Sequence, residues 1–130
     1  MDASHGHLLV VDDEPEMRDL LRKILEKEGH GVTTASGSCE ALALLAACSY
    51  DLVVTDMLMP FDGGLALLKA IRRASPTTPV IIVTAFGDWE SYAQAMELGA
   101  SAFISKPLRM AELTAAVHSA LAAWGAATSP

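Results

Sequence analysis

The clearest signal for the fold lies near the start of the chain, in Leu8-Leu9-Val10-Val11-Asp12-Asp13-Glu14-Pro15. Its four apolar residues predict a buried β-strand. The acids that follow end this strand, and Pro15 favours the first turn of a helix, where a missing N–H costs nothing. A buried strand that leads directly into a helix predicts the start of a β–α repeat.

The same alternation continues along the rest of the chain. Gly29 ends the first helix, and further strands are expected at Val32–Ala35, Leu52–Thr55, Val80–Val83 and Ala102–Ile104. Helices are expected at Ser38–Ala47, Leu65–Arg73, Asp88–Leu98 and Met110–Trp124. Five strands alternating with five helices predict an α/β fold, a doubly wound parallel sheet with helices on both faces. The continuous apolar run at Val80–Val83 supports this, because both faces of such a sheet are buried.

Size and charge limit the classes of function. The 130 residues fit one domain, and the 52% of apolar residues can fill one core. The net charge of -7 argues against binding to nucleic acid or to an anionic membrane. Cys39 and Cys48 lack the spacing of a zinc site and are expected to be buried or half-buried thiols. Because no apolar run could cross a bilayer and no signal-like segment opens the chain, a cytoplasmic location is expected.

Chemically active side chains follow four of the predicted strands. Asp12 and Asp13 follow the first strand, Asp56 the third, Thr84 the fourth and Lys106 the fifth. Since the carboxyl ends of parallel strands lie at one edge of the sheet, these side chains should converge there. Clustered acids repel one another unless a cation lies between them, and Mg²⁺ prefers carboxylates, water and phosphate. The site is therefore expected to bind Mg²⁺ and a phosphate-like group, with Lys106 and Thr84 contacting the phosphate oxygens.

Each of these residues alone has a simpler explanation. Asp13 could cap the following helix, Thr84 could be an ordinary capping or surface hydroxyl, and Lys106 could be a solvated charge. The joint placement at one sheet edge favours the functional interpretation.

The motifs resemble those of response-regulator receiver domains of two-component signalling. The resemblance covers residues 7–124 and rests on five motifs: Leu8–Pro15, Asp56-Met57-Leu58-Met59-Pro60 with Gly64, Val83-Thr84-Ala85, Leu98-Gly99-Ala100, and Lys106-Pro107. It implies a flavodoxin-like sheet with strand order 2-1-3-4-5. The domain would then cover 7–124, with a flexible tail at 1–6 and a tail or truncated linker at 125–130.

The resemblance also implies roles for the acidic residues. Asp56 corresponds to the phosphorylated aspartate and Asp13 to a direct Mg²⁺ ligand. Asp12 corresponds to the neighbour that acts through water, and the Leu58 backbone carbonyl to a further ligand. The phosphodonor would be a sensor histidine kinase or a histidine phosphotransfer protein. The domain would catalyse its own phosphorylation and dephosphorylation in a phosphorelay, without being an enzyme in the usual sense.

Other positions correspond to the residues that respond to phosphorylation. Lys106 corresponds to the lysine that holds the phosphoryl group, and the bond to Pro107 to a cis peptide. Thr84 corresponds to the switch hydroxyl and Phe103 to the switch aromatic. Leu58 and Phe86 flank the path of the hydrolytic water, and both are apolar and bulky, so slow self-dephosphorylation is expected.

The candidate output face comprises the fourth helix, the fifth strand and the fifth helix. Ala93 and Met96 are expected to face the core, which leaves Trp89 and Tyr92 partly exposed near Phe103. Aromatic residues are enriched where proteins meet, and a homodimer through this face is an expected partner arrangement.

Two other functions fit parts of this sequence. A haloacid-dehalogenase-type phosphatase also phosphorylates an aspartate after a strand, but it needs a second aspartate two residues later, where this chain has Leu58. A receiver-like docking module without phosphorylation is disfavoured because all the acids, the hydroxyl and the lysine are present.

Overall fold

The computed structural model describes residues 6–56, 63–75, 77–84 and 89–128. Its strands are β1 (His7–Val11), β2 (Gly31–Ala35), β3 (Leu52–Thr55), β4 (Val80–Thr84) and β5 (Ala102–Ser105). Its helices are α1 (Pro15–Lys27), α2 (Ser38–Ala47), α3 (Gly63–Ala74), α4 (Trp89–Glu97) and α5 (Met110–Thr128). The strands pair in parallel in the order β2-β1-β3-β4-β5. The predicted fold class and strand order are confirmed.

Two apolar cores lie on opposite faces of the sheet. Alternate residues of a strand point to opposite faces, so Leu8 and Val10 of β1 join a core with α1 and α5, whereas Leu9 and Val11 join one with α2, α3 and α4. All four of these β1 side chains are fully buried. Each contributes about 1.5–3 kcal/mol through burial of its apolar surface, which explains the uninterrupted apolar run.

Two glycines end helices as the sequence predicts. Gly29 and Gly99 have φ angles of 95° and 92°, the left-handed conformation that side chains disfavour. After α1, the His30 N–H donates to the Leu25 carbonyl at 3.2 Å and the Gly29 N–H donates within the last turn. This pattern satisfies the last helical carbonyls and turns the chain towards the next strand.

The half-buried Arg72 of α3 connects three parts of the fold. Its guanidinium donates hydrogen bonds to the backbone carbonyls of Thr78, before β4, and Gly99, after α4. Burial lowers the pKa of this guanidinium from its usual value. A side chain at position 99 would bring a Cβ within 2.8 Å of the Arg72 Nε. The position therefore requires glycine for both its backbone angle and its space.

Two local predictions were wrong. The last helix does not end at Trp124 but continues to Thr128, so most of the predicted tail at 125–130 is helical. Alanine is a strong helix former, and one glycine at position 125 costs only about 1 kcal/mol. Cys39 and Cys48 are exposed rather than buried, because α2 buries only Ser38 and Ala41.

Among the described residues, the structure contains no helix with the length and apolar character needed to span a membrane.

Candidate phosphoacceptor site

Strand register brings the predicted site residues to one edge of the sheet. Val11 pairs with Thr55, so the acids that follow β1 and β3 lie side by side. The Asp56 N–H donates to the Val11 carbonyl at 3.3 Å, which extends this pairing by one residue. At the other end, the Lys106 N–H donates to the Thr84 carbonyl at 2.8 Å.

The three aspartates form an acidic pocket. Asp12, Asp13 and Asp56 each offer a carboxylate oxygen, and these oxygens lie within 4.8 Å of one another. Asp12 and Asp56 are buried, whereas Asp13 is exposed. Hard oxygen donors grouped at this distance, with one side open to water, fit a divalent cation such as Mg²⁺. The cluster could therefore bind a metal.

Lys106 connects the acids. Its Nζ lies 2.9 Å from Asp56 Oδ2, 3.5 Å from Asp12 Oδ2 and 3.5 Å from Glu14 Oε1. The lysine side chain is only 11% exposed, so its charge is partly removed from water. An ammonium held among carboxylates can reach an oxygen of any group placed on Asp56.

Burial and charge shift two pKa values at this site. Burial raises the pKa of Asp12, and the nearby charges of Asp56 and Glu14 act in the same direction. The Glu14 N–H and Lys106 oppose this shift without cancelling it. Burial by itself lowers the pKa of Lys106, but its hydrogen bond to Asp56 and the neighbouring negative charges outweigh burial and raise that pKa overall.

Two residues that sequence reasoning missed hold Asp12 in place. The Glu14 N–H donates to Asp12 Oδ1 at 2.9 Å, and Arg18 Nη1 donates to the Asp12 carbonyl at 2.8 Å. The only signal in the sequence was Pro15, which places Glu14 just before the helix. Nothing in the pattern indicated that the Glu14 side chain reaches Lys106.

The predicted switch residues belong to β4 and β5, which pair with each other. Thr84 ends β4 and is fully buried. Phe103 is half-buried in β5, and its ring makes an edge-on contact with Tyr92 of α4, with 5.5 Å between ring centres. The Lys106–Pro107 bond is cis, as the resemblance implies.

The surface of α4 differs in part from the prediction. Tyr92 is exposed, as expected, but Met96 is exposed too and Ala95 is the residue that packs in the core. The expectation that Met96 faces inward was therefore wrong, because the core-facing stripe of α4 is shifted by one residue. Trp89 begins α4, but its side chain is not described. Leu58 and Phe86 lie outside the described residues, so their proposed roles stay predictions.

The fold and the acidic pocket together define a receiver-type domain. The chain matches the response regulator receiver domain family over residues 8–118 and belongs to that family. Receiver domains of response regulators interact with histidine kinases.

Similar proteins and solved structures support this family assignment. The receiver domain of a response regulator from Clostridium thermocellum has a TM-score of 0.89 and 34% identity, covering 95% of this chain and 99% of that one. The transcriptional regulatory protein FixJ of Bradyrhizobium diazoefficiens is 38% identical over 92% of this chain and 58% of its own length. The response regulator protein PilR of Pseudomonas aeruginosa is 39% identical over 91% of this chain and 26% of its own. The chain thus spans only part of these curated relatives.

Proposed function

We propose that Asp56 accepts a phosphoryl group from the phosphohistidine of a sensor histidine kinase or a histidine phosphotransfer protein, in a reaction that depends on Mg²⁺. The observation that carries this proposal is the 2.9 Å contact between Lys106 Nζ and Asp56 Oδ2 inside the three-aspartate pocket. A buried acid with an ammonium beside it and open acidic ligands around it suits phosphoryl transfer, which depends on positioning and charge neutralisation.

The transfer needs little covalent chemistry from the protein. A carboxylate oxygen of Asp56 attacks the phosphorus as the P–N bond breaks, and the bonding electrons return to the imidazole. The imidazole leaves as a neutral group, since its second nitrogen carries a proton. Lys106 turns from the Asp56 carboxylate towards a phosphoryl oxygen and stabilises the charge on it.

The metal would be held by the acidic pocket. Asp13 and Asp56 would bind it directly, Asp12 through water, and the Leu58 carbonyl is a further ligand by resemblance. Bound Mg²⁺ would neutralise charge on the phosphoryl oxygens. The protein's part is to hold two buried acids and one exposed acid at ligand distance before the metal arrives.

The response would run through Thr84 and Phe103. The buried Thr84 hydroxyl turns to a phosphoryl oxygen, which frees space for the Phe103 ring to move inward. Because Phe103 contacts Tyr92, this movement alters the face made by α4, β5 and α5. That face would carry the output by forming a homodimer contact. The domain would be cytoplasmic and would itself bind neither nucleic acid nor membrane. The domain promotes its own phosphorylation and dephosphorylation but is not an enzyme in the usual sense.

Intact-mass measurement tests this proposal. Incubation with acetyl phosphate and Mg²⁺ should add one phosphoryl group to the wild-type chain, and a chelator should abolish the addition. Asp56→Asn should add none. Asp19→Asn, at an acid of α1 that lies outside the pocket and pairs with Arg22 and Lys23, is the control and should label fully. Full labelling of Asp56→Asn would show that another residue is the acceptor.

A further inference from the structure

Glu14 is a third acidic residue beside Lys106, and the proposed function gives it no role. Its Oε1 lies 3.5 Å from Lys106 Nζ, the same distance as that of Asp12 Oδ2. The two other acids that contact this lysine are buried, but the Glu14 side chain is 66% exposed. Glu14 therefore places a solvent-exposed carboxylate beside this lysine.

A helix-capping role does not account for this side chain. Glu14 is the N-cap of α1, and among the described residues its carboxylate makes no capping hydrogen bond. Its backbone is fixed on both sides, because its N–H donates to Asp12 at 2.9 Å and its carbonyl accepts from the Arg18 N–H at 2.9 Å. These two backbone hydrogen bonds do not involve the carboxylate, so a substitution of the Glu14 side chain leaves both of them available.

This position creates a competition for Lys106. When a phosphoryl group approaches Asp56, Lys106 must turn to its oxygens, and the Glu14 carboxylate is a rival anion for the same ammonium. The carboxylate also repels the donor directly, and the repulsion grows with the donor's negative charge. A small dianionic donor meets both effects, whereas a protein donor with a basic side chain beside its phosphohistidine can pair with Glu14 and release the lysine.

We propose that Glu14 is a specificity-determining residue that selects against small, highly charged phosphodonors and in favour of phosphohistidine proteins with basic groups around the histidine. This inference rests on the proposed function of Asp56. It names the donor class that the same site prefers.

Initial rates of labelling test the proposal. Acetyl phosphate, which transfers its phosphoryl group as the P–O bond breaks and acetate leaves, carries two negative charges near neutral pH. Phosphoramidate, which releases ammonia, carries one net negative charge. Glu14→Gln should raise the rate of labelling with acetyl phosphate about two- to fivefold, the range expected for one exposed ion pair. The same substitution should raise the rate with phosphoramidate by a smaller factor.

Two further variants and one change of conditions separate charge from structure. Glu16→Gln removes an equal charge from an exposed acid of α1 and should leave both rates near wild type. Glu14→Asp keeps the charge with a shorter reach and should lie between wild type and Glu14→Gln. High salt should reduce the ratio of the Glu14→Gln rate to the wild-type rate, because it screens exposed charges.

The labelling rates distinguish a specific role of Glu14 from a general effect of charge. Equal acceleration by Glu14→Gln and Glu16→Gln would indicate general charge alone and overturn the inference, as would a slower Glu14→Gln or an equal effect on both donors. These results leave the proposed function standing, since the wild-type chain still labels at Asp56. A wild-type chain that accepts no phosphoryl group from either donor would overturn the proposed function and this inference together.

Discussion

Among the individual residues, Asp12 carries a carboxylate in a buried position, where its negative charge disfavours folding. It is almost fully buried, and burial raises the pKa of its carboxyl group despite the nearby lysine. A raised pKa in the folded state means that the ionised form is less favourable there than in the unfolded chain. The resulting loss of stability is present at neutral pH and is relieved as the pH falls through the folded-state pKa.

Replacing this carboxylate should therefore stabilise the fold. We expect Asp12→Asn to raise the free energy of unfolding at neutral pH, in chelator, by about 0.5–2 kcal/mol. The asparagine oxygen can keep the hydrogen bond from the Glu14 N–H. Urea unfolding followed by circular dichroism measures the change.

Asp19→Asn provides a control of opposite sign. Hydrogen bonds from Lys23 and Arg22 lower the pKa of Asp19, so its charge favours folding at neutral pH. Its replacement should leave stability unchanged or slightly reduced. If Asp12→Asn is no more stable than wild type, the burial of its charge has no net cost.

The sequence predicted the acid cluster but not all of its surroundings. Asp12, Asp56 and Lys106 could be placed together because parallel strands end at one edge of a sheet. The reach of Glu14 to Lys106 could not be predicted, because it depends on the backbone direction at the start of α1 and on residues that are distant in sequence. Apolar periodicity carries no information about such contacts between side chains.

At the scale of helices and strands, the alternating pattern located all ten segments. The least accurate boundaries were at segments whose ends depend on local propensity, such as the alanine-rich α5. The contact of Arg72 with the turns before β4 and after α4 was also beyond the pattern, since it links α3 to backbone carbonyls that carry no side-chain signal.

This arginine should stabilise the arrangement of α3 and α4. Arg72→Ala removes charged hydrogen bonds to two carbonyls and should lower the free energy of unfolding by about 1.5–3 kcal/mol. Arg73→Ala, an exposed arginine at the next position, should change it by about 0.5 kcal/mol or less. Equal effects in urea unfolding would show that Arg72 acts only through its charge or helix propensity.

At the scale of the whole molecule, α4 presents an apolar surface to solvent. Tyr92 and Met96 are one helical turn apart, and both are exposed. Tyr92 touches Phe103, so this surface lies beside the residue that is expected to respond to phosphorylation. Under the proposed function, a movement of Phe103 would therefore reach this surface through Tyr92.

The proposed homodimer should form when this surface is rearranged. Beryllofluoride with Mg²⁺, a mimic of the phosphoryl group, should shift the sedimentation coefficient towards that of a dimer. Met96→Asp should prevent the shift, because it places a charge in the contact. Leu20→Asp, at an exposed apolar residue of α1, should not. A monomer under all conditions would contradict a dimer through α4, β5 and α5.

The contact between Lys106 and Asp56 also links the acidic pocket to one edge of the sheet. Asp12 and Asp56 follow strands inside the sheet, but Lys106 follows β5, which ends the strand order and pairs only with β4 among the described strands. Edge segments open more readily than central ones, as hydrogen exchange detects. Any opening of β5 withdraws the ammonium and leaves the buried acids facing one another. Under the proposed function, a phosphoryl group held by Lys106 would resist that opening, so the lifetime of the signal and the rigidity of the sheet edge would depend on each other.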